Sequence, residues 1–446
     1  MRPFAFDVPA MFELEPRLLL SGVGSDVLLP VGCPSTMTGP CCSQVQAGPA
    51  PAAAQSPAWA DAWRGDTIRA YRQIASWQKQ TQTTTQTQTS GAAGAYTPGT
   101  QVSWRVENVS GGSQLVVLGT DAADSVTVSK NGTATVIYVS GILAWTTSQV
   151  FSSVALYGFG GDDTLVSISG AAETVYGGAG MDSFWGDSGD KIADAESAET
   201  AGGNVHVVTQ FFSSASVAQP SLQLAGQKLA DPAAGYSYAN FSSRRVFVDG
   251  PQYNDIRQGG LGDCYFLAAL ASLAQTDPGV IRQMVVALGD GTFAVRFFSG
   301  GQAKYVRVDG DLPVYTGTYL AYANLSPSGE LWAALAEKAY AQFRTGANSY
   351  ASISGGWMSP VYTQVTGVSA GDTYTSSAAA STLASQISQA LAAGHAVTAG
   401  SLSSGSATIV GGHAYMVRSV QVVNGQQMVT VYNPWGVDGK GSDGNA

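Results

Sequence analysis

One cysteine stands apart in this sequence. Cys33, Cys41 and Cys42 crowd an N-terminal stretch, whereas Cys264 lies alone in Gln258-Gly-Gly-Leu-Gly-Asp-Cys264-Tyr-Phe-Leu-Ala-Ala. Leu267, Leu270 and Ala274 fall at helical spacing, which predicts a helix beginning near Cys264. A thiol at a helix N-terminus sits at the positive end of the macrodipole, where the nucleophilic thiolate is favoured. The glycines before it allow a tight turn and leave space in front of the sulfur. A buried structural cysteine would need none of these neighbours.

A thiolate nucleophile needs a base, and the base needs a group to orient it. The three histidines are His206, His395 and His413. His413 opens an alternating, strand-like run after a glycine turn, in Gly411-Gly-His413-Ala-Tyr-Met-Val417, and His395 precedes the strand-like Ala396-Val-Thr-Ala-Gly400. Downstream, Val431-Tyr-Asn433-Pro-Trp435-Gly places a carboxamide and an indole just after a strand. An Asn there can accept from the imidazole and fix its tautomer, and the Trp can shield that bond from water. His206 reads as a strand or surface histidine. His395 lacks the setting of His413 and is set aside.

Taken together, these blocks resemble the active-site signature of the calpain family of cysteine proteases. Asp255-Ile-Arg-Gln258 through Ala269, Gly-His413-Ala-Tyr and Asn433-Pro-Trp-Gly carry the resemblance. Glu330-Leu-Trp-Ala-Ala-Leu through Phe343 is similar to the family's central helix, and Ser354-Gly-Gly356 follows it. The similarity spans roughly 246–438. It implies an α+β, papain-like core with a helical lobe, a β lobe and a division near 365. It also implies a cysteine endopeptidase with Cys264 as nucleophile, His413 as base and acid, Asn433 as orienter and Gln258 in the oxyanion hole. The substrate is then a protein or peptide.

The match departs from the family at three places. Tyr265 replaces a Trp. The family's core calcium site pairs an Asp, here Asp255, with a Glu whose position is held by Ala351, so that site should be weakened. The sequence ends soon after Trp435, which predicts an uncovered sheet edge. No EF-hand loop occurs. A non-catalytic calcium-binding surface protein with a decayed protease region is the competing reading.

At 446 residues the chain has room for two or three domains. Charged residues make up 12%, Gly numbers 54 and the net charge is −10. This balance suits a β-rich, loop-rich protein, and no basic cluster points to nucleic acid. No apolar run is long enough for a transmembrane helix.

Residues 1–58 read as an N-terminal segment and a Pro/Ala-rich linker. Leu14-Glu-Pro-Arg-Leu-Leu-Leu-Ser21 resembles a short motif of bacterial surface proteins, which implies an extracellular or cell-surface location, with cytoplasmic as the alternative. A helix is predicted over 59–78, followed by a Gln/Thr tract that completes a segment ending at 99. Short strands separated by Gly/Asp turns are predicted over 100–195, a connector over 196–245 and the protease region over 246–446. Within the strand region, 158–166 and 177–185 approach the repeat G-G-x-G-x-D-x-U-x, with a degenerate copy at 119–126. They resemble haemolysin-type repeats, in which turns and carboxylates coordinate Ca²⁺. Asp163 and Asp182 are the candidate calcium ligands, together with Asp255.

Overall fold

The computed structural model describes residues 8–14, 26–30 and 96–437, apart from 169–170, 223–227, 376–377 and 404–408. The predicted helix over 59–78, the Gln/Thr tract, most of the surface-protein motif and Cys33, Cys41 and Cys42 lie outside these residues. The architecture is mixed α/β, with more strand than helix.

Residues 103–207 wind between two facing sheets. Gly112–Leu118, Ser153–Gly160, Ala172–Ala179 and Lys191–Ile192 run parallel in one sheet. Ser125–Asn131, Thr164–Ile168, Ser183–Gly186 and Val205–Val207 run parallel in the other. The chain alternates between the sheets, so each pair of strands forms one rung. Leu115, Val117, Val126, Val128, Leu156, Leu165, Val175 and Phe184 fill the space between them. Their every-second-residue spacing follows from side chains alternating across a strand.

The C-terminal half has a helical part and a sheet part. Cys264–Thr276 and Trp332–Phe343 cross within one large apolar cluster. Each is buried on nearly all sides, which explains its Ala-rich composition: small residues let neighbouring elements approach closely. Met358–Thr366 ends at Gly367, whose φ of 79° is the left-handed conformation that terminates helices. Beyond it lies a sheet containing Ala370–Thr373, Thr398–Ser401, Ala414–Val423 and Gln426–Tyr432, packed against the Ala380–Ala392 helix.

Strands from the N-terminal segment pair into this sheet, whose outer strands are Asp26–Pro30 and Ala370–Thr373. Asp26–Pro30 pairs antiparallel with Gln426–Tyr432. Val8–Leu14 lies parallel between Ala370–Thr373 and Thr398–Ser401. Sequence reasoning missed this because strand partners so distant in sequence leave no local signal.

The wound β region packs directly on a three-stranded antiparallel sheet of the C-terminal half, formed by Val285–Ala287, Thr292–Ser299 and Gln302–Asp309. Val166, Trp185, Val208 and Phe211 form one apolar cluster with Val286, Leu288 and Ala294. His206 lies at this junction, in a strand as expected but buried rather than exposed. It stacks on Trp185 with ring centroids 3.8 Å apart, and its Nε2 is 2.7 Å from Gln283 Oε1. Trp185 Nε1 donates to Ser183 Oγ, whose hydroxyl donates to the same Gln283 oxygen. Arg296 reaches across to the Gly203 carbonyl at 3.0 Å.

Burial, reinforced by the Arg296 charge, lowers the His206 pKa from 6.5 to about 3, although the Gln283 bond opposes the shift. A depressed folded-state pKa gives stability that is present above the unfolded value and lost as pH falls toward the folded one. The melting temperature of the junction should therefore fall between pH 6.5 and 4, and His206→Phe should flatten that part of the curve. Thermal melts at stepped pH check this; an unchanged acid limb in the variant would count against it.

Candidate active site

The Cys264–Thr276 helix begins at the predicted cysteine, with Asp263 at its N-cap. The approach loop is held from three directions. Gln258 N–H donates to the Pro434 carbonyl at 2.7 Å, Gly260 N–H to the Ala321 carbonyl at 2.8 Å, and Gly355 N–H to the Gly262 carbonyl at 2.7 Å. A Cβ on Gly259 would collide with the Tyr322 carbonyl, so only glycine lets the loop lie this close to its neighbour.

Gln258 Nε2 donates to the Leu261 carbonyl at 2.6 Å. That bond uses one of the two amide hydrogens and aligns the side chain along the loop before Cys264. Cys264 itself is fully buried.

His413 is fixed through its backbone. Its N–H donates to Ser401 Oγ at 2.9 Å, and its carbonyl accepts from Ser401 N–H at 2.8 Å. Its Nε2 lies 2.8 Å from Asn433 Oδ1. With Asn433 oriented as acceptor, Nε2 carries the hydrogen and Nδ1 keeps the basic lone pair. Trp435 supports the pair twice: its N–H donates to Asn433 Oδ1 at 3.0 Å, and its ring lies 4.8 Å from the imidazole. His413 and Asn433 are both buried.

The Cys264 loop and the His413–Asn433 strands meet through direct bonds. Tyr432 O–H donates to the Ile256 carbonyl at 2.8 Å, and Ser272 Oγ donates to the Val397 carbonyl at 3.0 Å. Cys264, Ala414, Met416 and Tyr432 share one apolar cluster. His395 stands apart: its N–H caps the Ala380–Ala392 helix by donating to the Ala390 carbonyl. Tyr265 gives its hydroxyl to the Ile353 carbonyl and takes a bond from Arg344 Nη1. The Gly356 backbone lies so near the Tyr265 ring that a Cβ there would be 2.6 Å away.

Asp255 faces protein donors: Gln252 N–H at 2.7 Å and Trp332 Nε1 at 3.0 Å. The carboxyl beside it is Glu330, which has its pKa raised to about 7, chiefly by burial, with the Asp255 charge adding to the shift. Sequence reasoning looked to position 351 and missed Glu330. Ser401 was also missed, because a serine in a short strand carries no signal of its own.

Asp163 and Asp182 lie in a column of carboxylates along one edge of the wound β region. Asp124 N–H donates to Asp163 Oδ1 at 2.8 Å, Asp163 N–H to Asp182 Oδ1 at 2.9 Å, and Asp182 N–H to Glu199 Oε1 at 2.8 Å. The second oxygens, Asp163 Oδ2 and Asp182 Oδ2, are buried and have no hydrogen-bond partner among the described residues. A Cβ on Gly158 would strike both Asp163 Oδ2 and the Gly177 carbonyl, so two acceptors converge there. A hard cation fits such a set of oxygens. Sequence spacing pointed to Asp163, Asp182 and, weakly, the 119–126 copy; Glu199 was missed because it enters from a helix.

Comparisons with known proteins bear on the C-terminal half. Residues 237–445 match the family model of the calpain family cysteine proteases. The calpain-1 catalytic subunit of Sus scrofa is 36% identical over 228 residues, covering 46% of this chain and 31% of that protein. The calpain-type cysteine protease DEK1 of Arabidopsis thaliana is 33% identical over 196 residues, covering 41% of this chain and 9% of that protein. The chain thus spans about a third or less of the length of these curated relatives.

Burial raises the Asp163 pKa from 3.8 to about 8 and that of Asp182 to about 6, with their neighbouring carboxylates adding to the shift. Raised carboxyl values mean stability that is complete below pH 3.8 and lost as pH rises through about 6 and 8. In a chelator, the β region should melt about 5 °C lower at pH 9 than at pH 5. Asp163→Asn should remove most of that difference; a chelated wild type with no alkaline loss would contradict the burial argument.

Proposed function

We propose that the C-terminal half is a cysteine endopeptidase acting on peptide bonds. The single observation that carries this reading is the buried His413–Asn433 pair beside Trp435, bonded through Gln258 and Tyr432 to the loop that delivers Cys264. His413 Nδ1 takes the thiol proton, and the Cys264 sulfur attacks the scissile carbonyl carbon. The oxyanion that forms is met by the Cys264 N–H and the free amide hydrogen of Gln258. Collapse expels the amine, which receives the proton from His413, and leaves a thioester. Water, deprotonated by His413, then hydrolyses the thioester and frees the acid and the thiol. Asn433 holds the imidazole so that Nδ1 stays aimed along one line through both steps.

Calcium is the proposed cofactor. Asp163 Oδ2, Asp182 Oδ2 and the Gly177 carbonyl supply the hard oxygens it favours. Bound there, the ion would neutralise carboxylates that the fold otherwise keeps partly protonated. Asp255, engaged by N–H donors and Glu330, is the weaker candidate. The relatives named above are calpains, and calcium regulation of the cleavage step is part of this proposal. Among the described residues no helix is long and apolar enough to cross a membrane. An extracellular or cell-surface location rests on the N-terminal motif alone.

A second reading, a non-catalytic calcium-binding scaffold, draws on the complete burial of Cys264. Iodoacetamide labelling and cleavage of a denatured casein substrate separate the two. Wild type should be alkylated at Cys264 and should cleave. Cys264→Ala should lose about 10⁴-fold or more in rate, and Asn433→Ala about 10²-fold with little change in substrate binding. Equal cleavage by wild type and Cys264→Ala would end the peptidase reading.

Calcium titration gives an independent check. Ca²⁺ should raise the melting temperature of the β region and flatten its alkaline loss, and Asp163→Asn with Asp182→Asn should abolish both effects. Identical titrations for the double variant and wild type would remove these residues from the calcium site.

A further inference from the structure

Glu337 lies in the middle of the Trp332–Phe343 helix and is completely buried. Its two carboxyl oxygens sit 3.1 and 3.0 Å from the Ala323 N–H. The carboxyl of Asp263, itself fully buried and immediately before Cys264, lies beside it. One carboxyl group therefore touches two segments at once. The first is 321–323, the ledge on which Gly259 and Gly260 rest through the Tyr322 and Ala321 carbonyls. The second is the N-cap of the helix that carries the cysteine.

We infer that Glu337 is a positioning residue for the oxyanion hole: it clamps the ledge under the glycine loop to the residue before Cys264, and so sets the direction of the Cys264 N–H and of Gln258. This inference rests on the peptidase reading and deepens it. The chemistry favours a carboxylic acid at this place. Two carboxyl groups can hydrogen-bond to each other only when a proton lies between them, and burial strongly favours keeping it. An acid can then donate to Asp263 through one oxygen while accepting from Ala323 through the other. Neighbouring Tyr322 and Tyr350 add no positive charge that would draw the proton off. The nearest cation on the same helix, Lys338, is committed elsewhere, to Asp231 and Asp309 at 2.6 Å each. Glu337 touches no group in the reaction; its effect passes through the loop.

The loop serves two chemistries differently, which makes a test possible. Alkylation of Cys264 by iodoacetamide needs the thiolate but no oxyanion hole. Reversible inhibition by the peptide aldehyde acetyl-leucyl-leucyl-norleucinal needs both: sulfur adds to the aldehyde carbon, and the new oxygen takes up the proton in the hole. Glu337→Ala should weaken aldehyde inhibition about tenfold or more and lower kcat similarly. It should leave KM and the iodoacetamide rate within about threefold of wild type. Glu337→Gln, which can still donate to Asp263 and accept from Ala323, should restore most of the loss. Glu337→Asp, one methylene too short to reach both partners, should fall between them and serves where the alanine variant does not fold.

Equal aldehyde affinity in wild type, Glu337→Ala and Glu337→Asp would overturn the positioning role alone. Parallel losses in aldehyde affinity and alkylation rate would also overturn it, by showing a general disturbance of the site. A wild-type chain alkylated at Cys264 that binds no aldehyde would overturn the peptidase reading and this inference with it.

Discussion

The close approach of the Gly259–Gly260 backbone to the 321–322 carbonyls is the constraint on which the site depends. A side chain at Gly259 has nowhere to go, because its Cβ would meet the Tyr322 carbonyl. With glycine, the Gly260 N–H reaches Ala321, Gln258 reaches Pro434, and the chain arrives at Cys264 in one defined direction. The loop is thus wedged between the helical part and the strands that bear His413 and Asn433. Backbone groups do most of this holding. They cost little side-chain entropy to fix, and they use neither the Gln258 nor the His413 side chain.

Buried charge is handled differently in each half of the molecule. Among the described residues of the C-terminal half, buried acids lie beside one another or beside a cation. Glu330 leans on Asp255, Glu337 on Asp263, and Lys338 draws in Asp231 and Asp309. In the Asp163–Asp182 column each residue spends one oxygen on a neighbouring N–H and leaves the other buried without a donor among the described residues. Such an oxygen is stable when something positive or a proton meets it.

The junction between the halves joins these behaviours. Glu199, at the end of the carboxylate column, belongs to the short Ser197–Gly202 helix. The next residue, Gly203, accepts from Arg296 of the Thr292–Ser299 strand, and the strand after it carries His206 onto Trp185 and Gln283. Glu199 thus lies only a few residues before Val208, which packs into the apolar seam with Val286 and Leu288.

The sequence alone made the proposed chemistry legible. A solitary cysteine after a glycine loop, a histidine opening a strand and an asparagine followed by tryptophan were legible because each lies in a local pattern with its own spacing. The start of the Cys264 helix and the strand positions around Leu115, Val126 and Ile137 were legible for the same reason. Tertiary structure decided everything that depends on distant partners. Ser401 holds His413, Glu330 stands beside Asp255, Glu337 reaches Asp263, and residues 8–14 and 26–30 pair into a sheet hundreds of positions away. Each of these residues is ordinary in its own neighbourhood. Its role arises from burial, which strips away water and leaves a polar group dependent on whichever partner the fold brings within reach.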